Sequence, residues 1–75
     1  MAELFMSAQL SDGVTVCVAP LSDRRIEQSG QSIEDRSGYF LYERRPRGNA
    51  EEVRIMARVI DEDAALRLSE LLRLT

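Results

Sequence analysis

The chain has 75 residues, of which 44% are hydrophobic and 31% are charged, and its net charge is −3. All ten basic side chains are arginine, and Cys17 is the only cysteine. The sequence therefore has no lysine to form a Schiff base and no histidine to act as a general base. It also has no histidine or second cysteine to bind zinc. The acidic total also gives no bulk attraction to nucleic acid or to an anionic membrane.

The length predicts a single small domain over residues 1–75. A chain of this size buries only about 60% of the surface that its unfolded form exposes. Small domains usually compensate with disulfides, a metal or a partner. One cysteine forms no internal disulfide, so the sequence favours association with a second copy or with another protein.

The N-terminal residues do not resemble a secretory signal, because Glu3, Gln9 and Asp12 interrupt the apolar run. No stretch approaches the roughly 20 apolar residues that span a bilayer. A lone thiol fits a reducing compartment. We therefore predict a cytoplasmic protein without a membrane partner.

Residues 3–19 predict a first β-hairpin. Leu4, Met6, Ala8 and Leu10 alternate with the residues between them, residues 11–13 are a turn signal, and residues 14–19 alternate again before Pro20. A short helix over residues 2–10 is the alternative, because its residue types also favour helix.

Residues 22–37 are polar apart from Ile26 and Ile33, which predicts a mobile polar loop. The alternative for part of this segment is a single helical turn that begins at Ser22, whose side chain can cap it.

Residues 38–45 and 51–60 predict a second antiparallel hairpin, closed by the turn residues 46–49. The second strand alternates strictly, so we expect one face to carry Val53, Ile55, Ala57 and Val59.

Asp61 can cap a helix that follows, in which an apolar stripe is formed by Ala64, Ala65, Leu68, Leu71 and Leu72. The predicted fold class is α+β, a three- to four-stranded antiparallel sheet of β-hairpins with one C-terminal helix packed on a face. The order of the strands stays open.

One helix cannot cover both faces of such a sheet, and leucines on the outer side of the helix add to the apolar surplus. The residues predicted to form a protein interface are Phe40, Tyr42, Met56, Leu66 and Leu74. We predict a non-catalytic protein-interaction module that acts as a homodimer or as an accessory subunit.

The alternative function is binding of nucleic acid or another anionic ligand. Guanidinium groups can grip phosphates while aromatic rings stack on bases. The candidate residues are Arg44, Arg45, Arg47, Arg24 and Arg25, with the aromatic residues Tyr39, Phe40 and Tyr42 on the adjoining strand. Against this, Glu43, Glu51 and Glu52 are close enough in sequence to neutralise the arginines.

Other reactive groups predict no catalytic, metal or cofactor site. Asp61, Glu62 and Asp63 suit the start of a helix better than a cation site. Cys17, in a strand of valines, is expected to be a buried structural thiol. Carboxylates at positions 27, 34 and 35 could pair for acid–base catalysis, but their spacing does not show that they converge.

Overall fold

The computed structural model describes residues 4–10 and 12–74, and it has an α+β fold. Four strands form one antiparallel sheet in the order β1-β2-β3-β4, so each strand lies beside its neighbour in the chain. The elements are β1 (Met6–Gln9), β2 (Thr15–Ala19), α1 (Asp23–Ser29), β3 (Tyr39–Arg47), β4 (Ala50–Val59) and α2 (Glu62–Leu72). The prediction of two hairpins and a C-terminal helix is confirmed. The predicted turn over residues 46–49 is too long, because β3 continues through Arg47 and only Gly48 and Asn49 form the turn.

The first hairpin settles the N-terminal alternative in favour of strand. Met6 lies opposite Val18, and the register continues to Gln9 opposite Thr15. The turn is closed by the Leu10 N–H, which donates to the Val14 carbonyl at 2.7 Å. Residues 3 and 11 of the predicted hairpin lie outside the described residues.

Helix α1 lies within the segment that the sequence predicts to be a loop, and its seven residues exceed the single turn of the alternative. The Ser22 side chain accepts the Arg25 N–H at 3.3 Å. The helix ends at Gly30, whose left-handed φ of 72° allows its N–H to reach the Glu27 carbonyl. Both ends of α1 therefore carry usual capping residues, a serine at the start and a glycine at the end.

The face of the sheet under α1 carries the larger of two cores, here called the α1-side core. Ile26 of α1 is fully buried on it. The other buried members come from β2, β3 and β4, and they are Cys17, Ala19, Phe40, Tyr42, Val53 and Ile55. Helix α1 thus covers the face of the sheet that would be exposed to solvent if α2 were the only helix.

A β-bulge in β4 divides its apolar residues between the two faces. Leu41 pairs with Ala57 but Tyr42 pairs with Ile55, so Met56 is the extra residue. Ile55 therefore belongs to the α1-side core, whereas Val59 packs on the opposite side. The prediction that positions 53, 55, 57 and 59 share one face is wrong because this insertion reverses the alternation.

Helix α2 packs on the second face and forms the α2-side core around Val18, Val59 and Ala65. Asp61 caps it by accepting the Ala64 N–H at 2.8 Å. The predicted stripe is wrong at Leu71, which is 73% exposed. Leu71 lies about 120° around the helix from Ala65 at 3.6 residues per turn, beyond the face that meets the sheet.

The end of α2 turns the chain back onto the sheet. Arg73 has a left-handed φ of 58°, and its N–H donates to the Glu70 carbonyl at 3.2 Å. The Leu74 N–H donates to the Ser69 carbonyl at 2.8 Å, which completes a Schellman motif. Leu74 therefore packs against the α2-side core instead of lying on the outer side of the helix, as its position on an extended helical wheel predicts.

Candidate functional site

An apolar groove of about 290 Å³ lies between the C-terminal end of α2 and the uncovered part of the sheet. Strands β1, β2 and β3, the bulge of β4 and the residues that end α2 all contribute to its wall. The lining residues are Ala8, Leu10, Val16, Leu41, Met56, Leu72 and Leu74. Leu10, Met56 and Leu72 remain 46%, 42% and 44% exposed, so the groove presents large apolar side chains to solvent.

The groove gives way to charged residues along the same face. Val16 of β2 lies opposite Glu43 of β3, which in turn lies opposite Arg54 of β4. In the next row of this face, Arg45 lies within 3.6 Å of the Glu43 carboxylate and within 3.9 Å of Glu52. An apolar centre with a polar rim of both signs is the usual anatomy of a protein interface.

The structure divides the five residues predicted for an interface. Met56 and Leu74 line the groove, and Leu66 is 40% exposed on α2 outside it. Phe40 and Tyr42 are 0% and 4% exposed, because they lie in the α1-side core with Ile26 and with Leu21 and Ile33 on either side of α1. These two aromatic side chains are part of the α1-side core, so neither is available as an exposed interface residue.

The sequence analysis missed several groove residues. Leu10 and Val16 are visible as apolar positions in predicted strands, yet alternation alone does not show that α2 stops short of them. Leu72 falls on the predicted core stripe and is nevertheless 44% exposed. The signal that was available is the uncharged run from Leu4 to Leu10.

Glutamates neutralise most of the predicted arginine cluster. Arg25 lies 2.7 Å from a Glu51 oxygen, and Arg44 lies 3.7 Å from the other oxygen of the same carboxylate. Arg47 pairs with Glu52. A carboxylate this close offsets the positive charge of the guanidinium and repels a phosphate, which weakens the case for an anion site.

The aromatic half of that predicted surface does not assemble either. Tyr39 contacts the α2-side core, whereas Phe40 and Tyr42 are buried in the α1-side core. Arg24 lines a polar cleft of about 390 Å³ together with Ser22, Arg25, Gln28 and Glu51. The aromatic rings and the guanidinium groups therefore do not share one exposed face.

The outer edge of β4 is partly covered by side chains from α1 and from the segment that follows it. The Ile55 N–H donates to Gln31 Oε1 at 2.7 Å, and Gln31 Nε2 donates to the Ile55 carbonyl at 3.0 Å. Gln28 Nε2 donates to the Glu51 carbonyl at 2.7 Å. Further along, Arg58 Nε donates to the Ser37 carbonyl at 3.1 Å. The bonds to Ile55 and Glu51 occupy backbone groups of β4 that would otherwise attract another strand.

The opposite edge of the sheet is β1. Because the Leu10 N–H bonds to Val14 and antiparallel pairs alternate, Met6 and Ala8 bond β2 while the backbone groups of Ser7 and Gln9 point away from it. Within the described residues, no side chain bonds these outward groups as Gln31 does on β4.

The remaining reactive groups have structural partners. The Asp35 carboxylate accepts the Ser37 hydroxyl at 2.6 Å and lies 3.1 Å from Arg58, and these interactions, the hydroxyl first, lower its pKa. Burial raises the pKa of the Tyr42 phenol to about 12. Cys17 is fully buried. Among the residues that the structure describes, no three acidic or cysteine side chains come close enough to hold a metal ion.

Comparison with protein-family models, with curated proteins and with solved structures gives no match to this chain. Over residues 4–10 and 12–74, neither helix has the length and apolar character needed to cross a membrane.

Proposed function

We propose that the chain is a non-catalytic protein-interaction module that associates with a second copy of itself through the face that carries the apolar groove. The observation that carries this proposal is the groove itself, in which seven apolar residues surround about 290 Å³ and three of them remain more than 40% exposed. Removing such a surface from water is favourable by about 25 cal/mol per Å², a gain from which the entropy cost of association is subtracted.

The size of the chain supports the same proposal. Among the residues that the structure describes, the α2-side core has three buried members, so a second copy placed beside the groove would extend a core that is small in one chain. We place the module in the cytoplasm, because its only thiol, Cys17, is free and buried, which suits a reducing compartment.

The test is the solution mass of the chain, measured by light scattering over a range of micromolar concentrations. We expect the mean mass to rise with concentration toward twice the chain mass of 8.5 kDa. Leu72→Glu introduces a charge at the groove and should shift the protein toward monomer. Leu71→Glu is the matched control, because Leu71 is the neighbouring leucine and lies outside the groove wall. Thermal melting of each variant shows that it is folded.

A wild-type chain that stays monomeric at high micromolar concentration would exclude self-association through this face. A mass that Leu72→Glu and Leu71→Glu change equally would exclude the groove as the contact surface. Retention of another protein by a monomeric chain, lost in Leu72→Glu alone, would replace the homodimer by the accessory-subunit form of the proposal.

A further inference from the structure

We infer that two copies of the chain join through antiparallel pairing of β1 with β1, about a two-fold axis that passes beside Ser7. This inference rests on the proposed self-association and places the contact at β1, the edge strand beside the groove, to whose wall Ala8 and Leu10 contribute. The contact would continue the two four-stranded sheets into one, with both apolar grooves on the same face.

The two edges of the sheet differ in a way that selects β1. On β4, the Gln31 amide occupies both backbone groups of Ile55, and four of the ten residues of the strand are charged glutamates or arginines. Residues 4–10 carry no charged side chain. Charged residues and covering groups are the means by which proteins block edge-to-edge pairing, so the chain blocks β4 and leaves β1 able to pair.

The occupant that fits this edge is a second copy of the same strand. An antiparallel strand that meets itself about an axis normal to the sheet keeps the same face upward, so opposite residues share a face. The outward-pointing backbone groups belong to alternate residues, and a register centred on Ser7 places Phe5 opposite Gln9 of the second copy. Every outward N–H and C=O of Phe5, Ser7 and Gln9 then finds a partner.

The same register covers apolar surface on both faces. Leu10, which is 46% exposed, comes opposite Leu4 of the second copy on the face of the groove. Phe5, which is 55% exposed, comes beside Gln9 on the other face. The small Ser7 side chain lies opposite its own copy, where it allows close approach of the two strands.

A charge-swap experiment tests the symmetry directly. Ser7→Lys and Ser7→Glu each place like charges opposite one another at the two-fold axis, which should raise the dimer dissociation constant by about tenfold or more. An equimolar mixture of the two variants should recover the dimer, because opposite charges then face each other. Ser7→Thr, which keeps the strand uncharged, is the control and should dimerise like the wild type. Sedimentation velocity measures these four samples and the wild type.

Amide hydrogen exchange supplies a second measurement on the unmodified chain, which does not depend on a variant folding. The Ser7 and Gln9 amides should exchange more slowly as the concentration rises, whereas the Ala8 amide, bonded to β2, should change little. Dimeric Ser7→Lys and Ser7→Glu chains would overturn the β1 contact while the groove proposal stands. Monomeric variants whose mixture stays monomeric would overturn the register, and a monomeric wild type would overturn both proposals.

Discussion

The side-chain amide of Gln31 binds the backbone of Ile55 as the neighbouring residue of another strand would, accepting its N–H at 2.7 Å and donating to its carbonyl at 3.0 Å. The segment after α1 thereby covers the edge of β4 without adding a fifth strand. The consequence reaches beyond local stability, because the two edges of one sheet become chemically different.

Gln31→Ala should lower the free energy of unfolding by about 1–2 kcal/mol, since it removes two hydrogen bonds and exposes both backbone groups of Ile55. Urea unfolding followed by circular dichroism measures the change. Gln28→Ala is the matched control, because it removes one such bond, to Glu51, and should cost about half as much. Equal losses in the two variants would contradict the two-bond description. Gln31→Ala should also aggregate faster than Gln28→Ala, through the edge it uncovers.

Local patterns in the sequence predict most of the fold but not the distribution of its cores. Alternation and capping residues are sufficient for β3, β4 and α2, because each signal lies within its own element. The bulge at Met56 depends on which residues of β3 lie opposite, and no pattern within β4 alone contains that information. Its effect is large, since it moves Val59 to the face opposite Ile55.

Helix α1 shows a different limit of the sequence analysis. Ser22 and Gly30 were both available as helix-end signals, yet Ile26 is its only buried residue, which is too little for an apolar periodicity. Missing this helix has a direct consequence for the candidate site. Without α1, Phe40 and Tyr42 are assigned to an exposed face, whereas with it they become core.

Ile26→Ala should lower the free energy of unfolding by about 3 kcal/mol, because it leaves a cavity where α1 meets the sheet. The loss should be global, since Ile26 packs in one cluster with residues from β2, β3 and β4. Chemical denaturation followed by circular dichroism measures the loss. Ile60→Ala, at a position that is 73% exposed, should change stability by less than about 0.5 kcal/mol. A small effect of Ile26→Ala would mean that α1 is not part of the cooperative unit.

Tyr42 should make the stability of the fold fall at alkaline pH. Burial raises its pKa from 10.0 to about 12, so the folded state holds the phenolic proton more tightly than the unfolded state does. This contribution is fully present below pH 10 and is lost as the pH rises from about 10 to about 12. Thermal melts across that range should show a steeper decline for the wild type than for Tyr42→Phe, which has no proton to lose. Identical slopes would contradict the role of this phenol.

Arg73 carries a left-handed φ of 58°, a conformation that is unfavourable for a residue with a Cβ and costless for glycine. Arg73→Gly should therefore raise the free energy of unfolding by up to about 1 kcal/mol while preserving the hydrogen bonds from positions 73 and 74 that place Leu74 at the groove. Arg67→Gly is the matched control, because Arg67 lies in the interior of α2, where the same substitution should cost about 1 kcal/mol. Opposite signs in the two variants, read from thermal melts, would establish that the end of α2 is held by the Schellman turn. Destabilisation by both would show that the Arg73 side chain contributes more than its backbone conformation costs.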